Sequence, residues 1–170
     1  MPSSKNVFTI LGIDPGIALS GWGIVQFWKA KDGTSNLRCQ KYGVIRTSPE
    51  LNSGERIKKI YDYLLGLTCR FRPGVIAVER IFFFKNAKTV IPIGKVQGIV
   101  ELLAAQKKIP LYEFSPLQVK MAVVGYGRAQ KIQIQKMLQI FFDLKEIPKP
   151  DDAADALAIA ICCAKYLRKI

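Results

Sequence analysis

Four carboxylates stand where surface solubility alone does not ask for them. Asp14 closes the apolar run Phe8 to Ile13 and precedes Pro15-Gly16. Glu79 follows Val75-Ile76-Ala77-Val78 directly, with Arg80 and then Ile81-Phe82-Phe83-Phe84 after it. Asp152 and Asp155 lie three apart in PDDAADALAIA, a spacing that puts both on one helical face with Cβ atoms roughly 5 to 6 Å apart. Each acid has an ordinary reading when taken alone. Asp before Pro-Gly suits a β-turn, and Glu79 could be a strand-end charge paired with Arg80. Aspartates are also favoured in the first turn of a helix, as caps and as partners of its positive end. Asp151 fits that cap role and frees Asp152.

Taken together, the four point to metal chemistry. If Asp14 and Glu79 end parallel neighbouring strands, they emerge at one sheet edge, where a helix opening near Asp151 can deliver Asp152 and Asp155. Such a cluster does not stay ionised without cations. The chain contains no histidine, and its four cysteines, Cys39, Cys69, Cys162 and Cys163, form no C-x-x-C pair, so zinc arrangements are absent and the cysteines read as reduced packing thiols. Hard oxygen ligands favour Mg²⁺, with Mn²⁺ as a substitute. Two such ions could activate a water and stabilise an in-line phosphoryl displacement, which makes phosphodiester hydrolysis the expected reaction class.

The elements that must position these acids follow from the apolar pattern. Phe8 to Ile13, Gly21 to Phe27 and Arg38 to Ile45 read as strands joined by short turns, an antiparallel meander. From Ser53, Ile57, Ile60, Leu64 and Leu67 mark a helix ending near Arg72-Pro73-Gly74. The β-branched run Val75 to Val78 suits a strand buried on both faces. A second helix ends near Lys108, and Pro92 places its regular start close to that residue. Pro110 to Phe114 reads as strand, Arg128 to Phe142 as helix, and Asp151 to Leu167 as a final helix. This order predicts an α/β fold, a mixed five-stranded sheet with helices on its faces, in a single domain over residues 1–170.

The charge balance names the partner class. The chain carries 26 Lys and Arg against 13 Asp and Glu, a net charge of +13, which attracts polyanions, nucleic acid first and an anionic membrane or the ribosome as alternatives. Between Arg80 and Lys136 there are ten basic residues and two acidic ones, a surface suited to tracking phosphates. Lys85, Lys120, Arg128 and Lys131 fall in that stretch. Gly125 and Gly127, beside Arg128 and Lys131, either let the backbone approach a phosphate or simply make a turn before a helix. Phe82, Phe83 and Phe84 cannot all enter one core, and an exposed ring could stack on an unpaired base. The N-terminal apolar run is too short for a signal peptide and no segment is apolar enough to span a membrane, so a soluble cytoplasmic protein is expected.

With these residues in place, the chain resembles the RuvC family of Holliday-junction resolvases over nearly everything from Phe8 to Tyr166. GIDPG, AVERIFFFKNA, GKVQG, QVKMAVVGYGRAQK and DAADALAIA stand in family order and spacing. The resemblance implies a ribonuclease-H-like fold and paired symmetric nicking of four-way junction DNA, leaving 5′-phosphate and 3′-hydroxyl ends. It implies Asp14, Glu79, Asp152 and Asp155 as catalytic metal ligands, Lys120 and Lys131 as DNA contacts, and Phe82 as the stacking aromatic. Some members carry histidine where this chain has Asp152. A homodimer and cooperation with a RuvAB-type branch-migration complex are implied in the same way, and Gly94 and Gly98, four apart, permit close approach of another helix or of the chain's own sheet. Two other readings compete: a catalytically inactive junction-binding architectural protein, and an ATP-binding protein of the actin and sugar-kinase class. Four intact carboxylates oppose the first. The second needs two domains and a second phosphate loop.

Overall fold

The computed structural model describes residues 7–30, 33–80 and 87–168. β1 (Phe8–Asp14), β2 (Leu19–Lys29) and β3 (Ser35–Arg46) form the expected meander, followed by α1 (Ser53–Phe71), β4 (Val75–Glu79), α2 (Ala87–Lys107) and β5 (Leu111–Phe114). α3 (Pro116–Val124), α4 (Lys131–Phe142) and α5 (Asp151–Leu167) complete the chain. The sheet order is β3-β2-β1-β4-β5. β1 runs antiparallel to β2 and parallel to β4, and β4 runs parallel to β5, which makes the sheet mixed.

Strand alternation assigns the two faces. Ile10, Val25, Val75 and Ala77 pack under α3, α4 and α5, with Leu138, Leu157 and Ile161 among the buried residues of that layer. Leu11, Ile13, Trp22, Ile24 and Ile76 face the other way, against Ile60 and Leu64 of α1 and Val96, Val100 and Leu103 of α2. The expected helices on both faces are therefore present. α1 opens with a capping box, Asn52 accepting from the Glu55 amide while the Glu55 carboxylate accepts from the Asn52 amide.

Two helix boundaries differ from the sequence reading. α2 begins at Ala87, not near Pro92, which lies inside it. Only five helical residues precede Pro92, and the first four amides of a helix lack an intrahelical acceptor in any case, so the missing N–H interrupts the ladder once. α3 is an addition to the elements expected from the apolar pattern, although Ser115-Pro116 followed by Gln118 is a capping box with proline at the first helical position. It ends at Gly125, whose φ of 78° is left-handed, and α4 then starts at Lys131 instead of Arg128. Gly125 is thus a helix terminator, and the turn reading of the glycines prevails. Of the cysteines, Cys162 and Cys163 are buried, Cys39 is half-buried, and Cys69 is exposed, so Cys69 is no packing thiol.

Candidate active site

Asp14 is the last residue of β1 and Glu79 the last of β4. The parallel register, Ile13 beside Val78, brings both to the same edge of the sheet. α5 crosses that face, and its first turns hold Asp152 and Asp155, both half-buried. The conditional placement made from sequence is therefore the observed one.

The approach of α5 depends on glycines in the strands. A Cβ on Gly12 would lie 2.2 Å from the Ala156 carbonyl oxygen, one on Gly21 would lie 1.9 Å from that of Asp152, and one on Gly23 would lie 2.7 Å from the Leu157 side chain. The helix backbone rests directly on β1 and β2, and its alanines, Ala153, Ala156 and Ala160, are fully buried there. Sequence reasoning missed this role. The available signal was glycine inside strands, which marks close approach of another backbone.

The site is electrostatically crowded. The Asp14 carboxyl is pushed up from 3.8 to about 7, first by burial and then by the charges of Asp155, Glu79 and Asp152, with Lys131 pulling the other way. Burial also raises the Asp155 carboxyl, against the lowering effect of the Lys131 hydrogen bond and charge. Lys131 Nζ lies 3.1 Å from Asp155 Oδ2 and 3.3 Å from Asp151 Oδ2. Burial lowers the affinity of Lys131 for its proton, but the hydrogen bonds and charges of Asp155 and Asp151 outweigh it and the net direction is up.

Asp151 is not the cap expected of it. Pro150 occupies the cap position, and no side chain caps the end of α5. The Asp151 carboxylate instead reaches α4, accepting from Gln135 Nε2 at 2.8 Å and pairing with Lys131. Those contacts hold the Asp151 carboxyl pKa below the usual carboxylate range, the Lys131 hydrogen bond first.

A cleft of about 240 Å³ is lined by Glu79, Lys120, Lys131 and Asp155, with Val119, Ile134 and Ala158 as apolar neighbours. Two of the predicted basic residues thus meet two of the predicted acids in one concavity. Arg128 is exposed in the turn before α4 and does not line this cleft. Phe82, Phe83 and Lys85 lie outside the described residues.

The donor set suits a hard divalent cation, because every group offered is a carboxylate oxygen. Among the described residues, no three of these side chains are gathered into a metal-holding group. The Lys131 ammonium is the cation that Asp155 holds in this conformation, and it marks the place where positive charge is stabilised. For a divalent ion to use the Asp155 carboxylate, Lys131 would have to give way there.

Residues 10–163 match the RuvC family, described as crossover junction endodeoxyribonuclease RuvC. The chain is 48% identical over 153 residues to the crossover junction endodeoxyribonuclease RuvC of Caldicellulosiruptor saccharolyticus, covering 90% of each chain. It is 46% identical over 157 residues to the RuvC of Desulforamulus reducens, covering 92% of this chain and 93% of that one. Its fold superimposes on Thermus thermophilus RuvC in complex with Holliday junction substrate with a TM-score of 0.87 at 36% identity, covering 96% of both chains. With that extent of sequence and fold shared, the chain belongs to the RuvC family of crossover junction endodeoxyribonucleases.

Proposed function

We propose that Asp14, Glu79, Asp152 and Asp155 are the catalytic, metal-binding carboxylates with which this chain cuts four-way DNA junctions. The chain is a structure-specific endodeoxyribonuclease that binds Holliday junctions and hydrolyses the DNA backbone with the help of a divalent metal. One observation carries the assignment of residues. The Asp14 carboxyl is raised to about 7, first by its own burial and then by the charges of Asp155, Glu79 and Asp152, so the four acids sense one another at one edge of a basic protein.

We take the ions to be Mg²⁺, two per site, with Mn²⁺ able to replace it. When bound they supply an activated water and neutralise charge on the phosphate undergoing in-line displacement. Without cations the crowded site holds protons, Asp14 keeping its own to about pH 7, and buried α5 fixes the spacing of Asp152 and Asp155. Lys120 and Lys131, in the wall of the same cleft, hold backbone phosphate close to the acids. Arg128, Phe82, Phe83 and Lys85 complete the DNA-binding set of this proposal.

The proposal includes a homodimer, because a two-fold symmetric junction presents two equivalent strands. α2 supports it. Added Cβ atoms on Gly94 and Gly98 would meet nothing within 4 Å, so these glycines do not pack on the chain's own sheet, and Ile91 and Leu102 on the same helix are exposed. Residues 1–170 act in this reading as one nuclease domain, working in the cytoplasm beside a RuvAB-type branch-migration complex. Among the described residues, no helix is long and apolar enough to cross a membrane.

The deciding experiment compares a synthetic four-way junction, a plain duplex and an RNA/DNA hybrid, each incubated with Mg²⁺ and with either wild type or Glu79→Gln. Wild type should make paired, ligatable nicks in the junction alone, and Glu79→Gln should bind the junction without cutting it. Unimpaired cutting by Glu79→Gln would remove the residue assignment.

A further inference from the structure

The seam between α4 and α5 carries a ladder of which the reaction described above uses Lys131 and Asp155 but not Gln135 and Asp151. Lys131 and Gln135 are one turn apart on α4, and Asp151 and Asp155 are one turn apart on α5. The Lys131 ammonium bridges both carboxylates, at 3.3 Å from Asp151 and 3.1 Å from Asp155. Gln135, only 8% exposed, donates to the other oxygen of Asp151 at 2.8 Å. One oxygen of Asp151 is thereby fixed by a nearly buried amide while its second oxygen faces the ammonium. The positive end of α5 favours a carboxylate in its first turn, but does not require that Asp151 reach across to Gln135 and Lys131 on α4.

We propose that Asp151 is a positioning residue that keeps Lys131 in the cleft when a divalent cation takes over Asp155, an inference that rests on the reading of Asp155 as a metal ligand. An ammonium and a divalent cation repel one another and compete for the same oxygen of Asp155. Without a second acceptor, cation binding would cost Lys131 its ion pair with Asp155 and leave it without a bridging carboxylate on α5. With Asp151 in place, Lys131 gives up one contact and keeps the other. It remains beside Lys120 and Glu79, in position to meet a backbone phosphate.

The test is Mn²⁺ binding to the full, metal-free chain, read from the electron paramagnetic resonance of the unbound ion. Wild type, Asp151→Asn, Lys131→Gln and the double variant form a cycle. Asparagine keeps an oxygen for the Gln135 amide and removes only the charge, so the seam stays hydrogen-bonded. Asp151→Asn should weaken Mn²⁺ binding about two- to fivefold, the span expected for one solvent-accessible ion pair. In the Lys131→Gln background the same change should make no difference, and Asp151→Glu should restore wild-type binding. Equal weakening with and without Lys131 would mean that Asp151 acts on the ion through its charge alone, and would overturn the proposal. Unchanged affinity in Asp151→Asn would overturn it as well. Asp155→Asn separates the two levels of inference: wild-type Mn²⁺ affinity there removes the metal-site reading itself, whereas loss there with no effect of Asp151→Asn removes only the positioning role.

Discussion

Gly21 stands opposite Asp14 in the β1–β2 ladder, and its backbone lies so close to Asp152 that a Cβ would come within 1.9 Å of that residue's carbonyl oxygen. One glycine thus ties the strand partner of one candidate ligand to the backbone of another. The nearest atoms to such a Cβ belong to the helix backbone and not to a side chain that could swing away, so Gly21→Ala has to move α5 or β2. Overpacking of this kind costs about 1 to 3 kcal/mol. The variant should melt several degrees lower by circular dichroism. At temperatures where it remains folded, nicking should fall far more than junction binding. Normal nicking by a folded Gly21→Ala protein would show that the site tolerates a displaced helix.

Removing one carboxylate charge at a time should separate cutting from binding. Asp14→Asn, Glu79→Gln, Asp152→Asn and Asp155→Asn keep side-chain size while deleting a negative charge. Nicking in Mg²⁺ should drop by about 10² or more, the scale on which loss of one preorganised group in a hydrolytic site is felt. Junction affinity should hold or rise, because repulsion of phosphate declines. Gel-shift and nicking assays on the same preparations check both halves.

How far the sequence discloses this arrangement depends on how local the signal is. Glu79 after four β-branched or small apolar residues, and Asp14 after a strand run, announce strand ends within a few residues, and their common edge follows once the strands are parallel. α1 is equally plain, since its buried Ile60, Leu64 and Leu67 keep a helical period. α2 is not plain. Val96, Val100 and Leu103 face the core, but Ile91 and Leu102 are exposed and equally apolar, which blurs the periodicity and leaves Pro92 as a misleading start signal. The contacts that adjust the site, Gln135 with Asp151 and Lys131 with Asp155, join residues 16 and 24 positions apart. Spacing within one element carries no information about them, and so Asp151 read as a cap.

The raised Asp14 carboxyl makes stability depend on pH in the metal-free protein. In the unfolded chain this group loses its proton near 3.8, but in the folded chain it keeps it to about pH 7. Between those values the folded state binds more protons, so stability falls as pH rises through the window and levels off above it. The shift corresponds to at most about 4 kcal/mol. Urea unfolding of metal-free wild type and Asp14→Asn between pH 4.5 and 7.5 should show a steeper decline for wild type, and added Mg²⁺ should flatten the difference. Parallel pH profiles would contradict the electrostatic crowding of Asp14.

Lys120 offers a cleaner measure of phosphate contact than Lys131, which is engaged with two carboxylates. Lys120→Ala should weaken junction binding and reduce the slope of log affinity against log salt by about 0.9. An unchanged slope would place Lys120 away from the phosphates.

Gly98 tests the dimer without disturbing the monomer. It is exposed on α2, and a Cβ there would meet nothing within 4 Å, so within the protomer a side chain can leave this position toward solvent. Replacing a helical glycine by leucine should leave the isolated protomer as stable as before or up to about 1 kcal/mol more stable. If a second α2 approaches over Gly94 and Gly98, the same leucine removes the space that the approach needs. Gly98→Leu should therefore sediment as a folded monomer, keep or raise its melting temperature at low protein concentration, and make unpaired nicks in place of symmetric pairs. A variant that remains dimeric by analytical ultracentrifugation and still cuts in pairs would put the two-fold interface on another face of the protein.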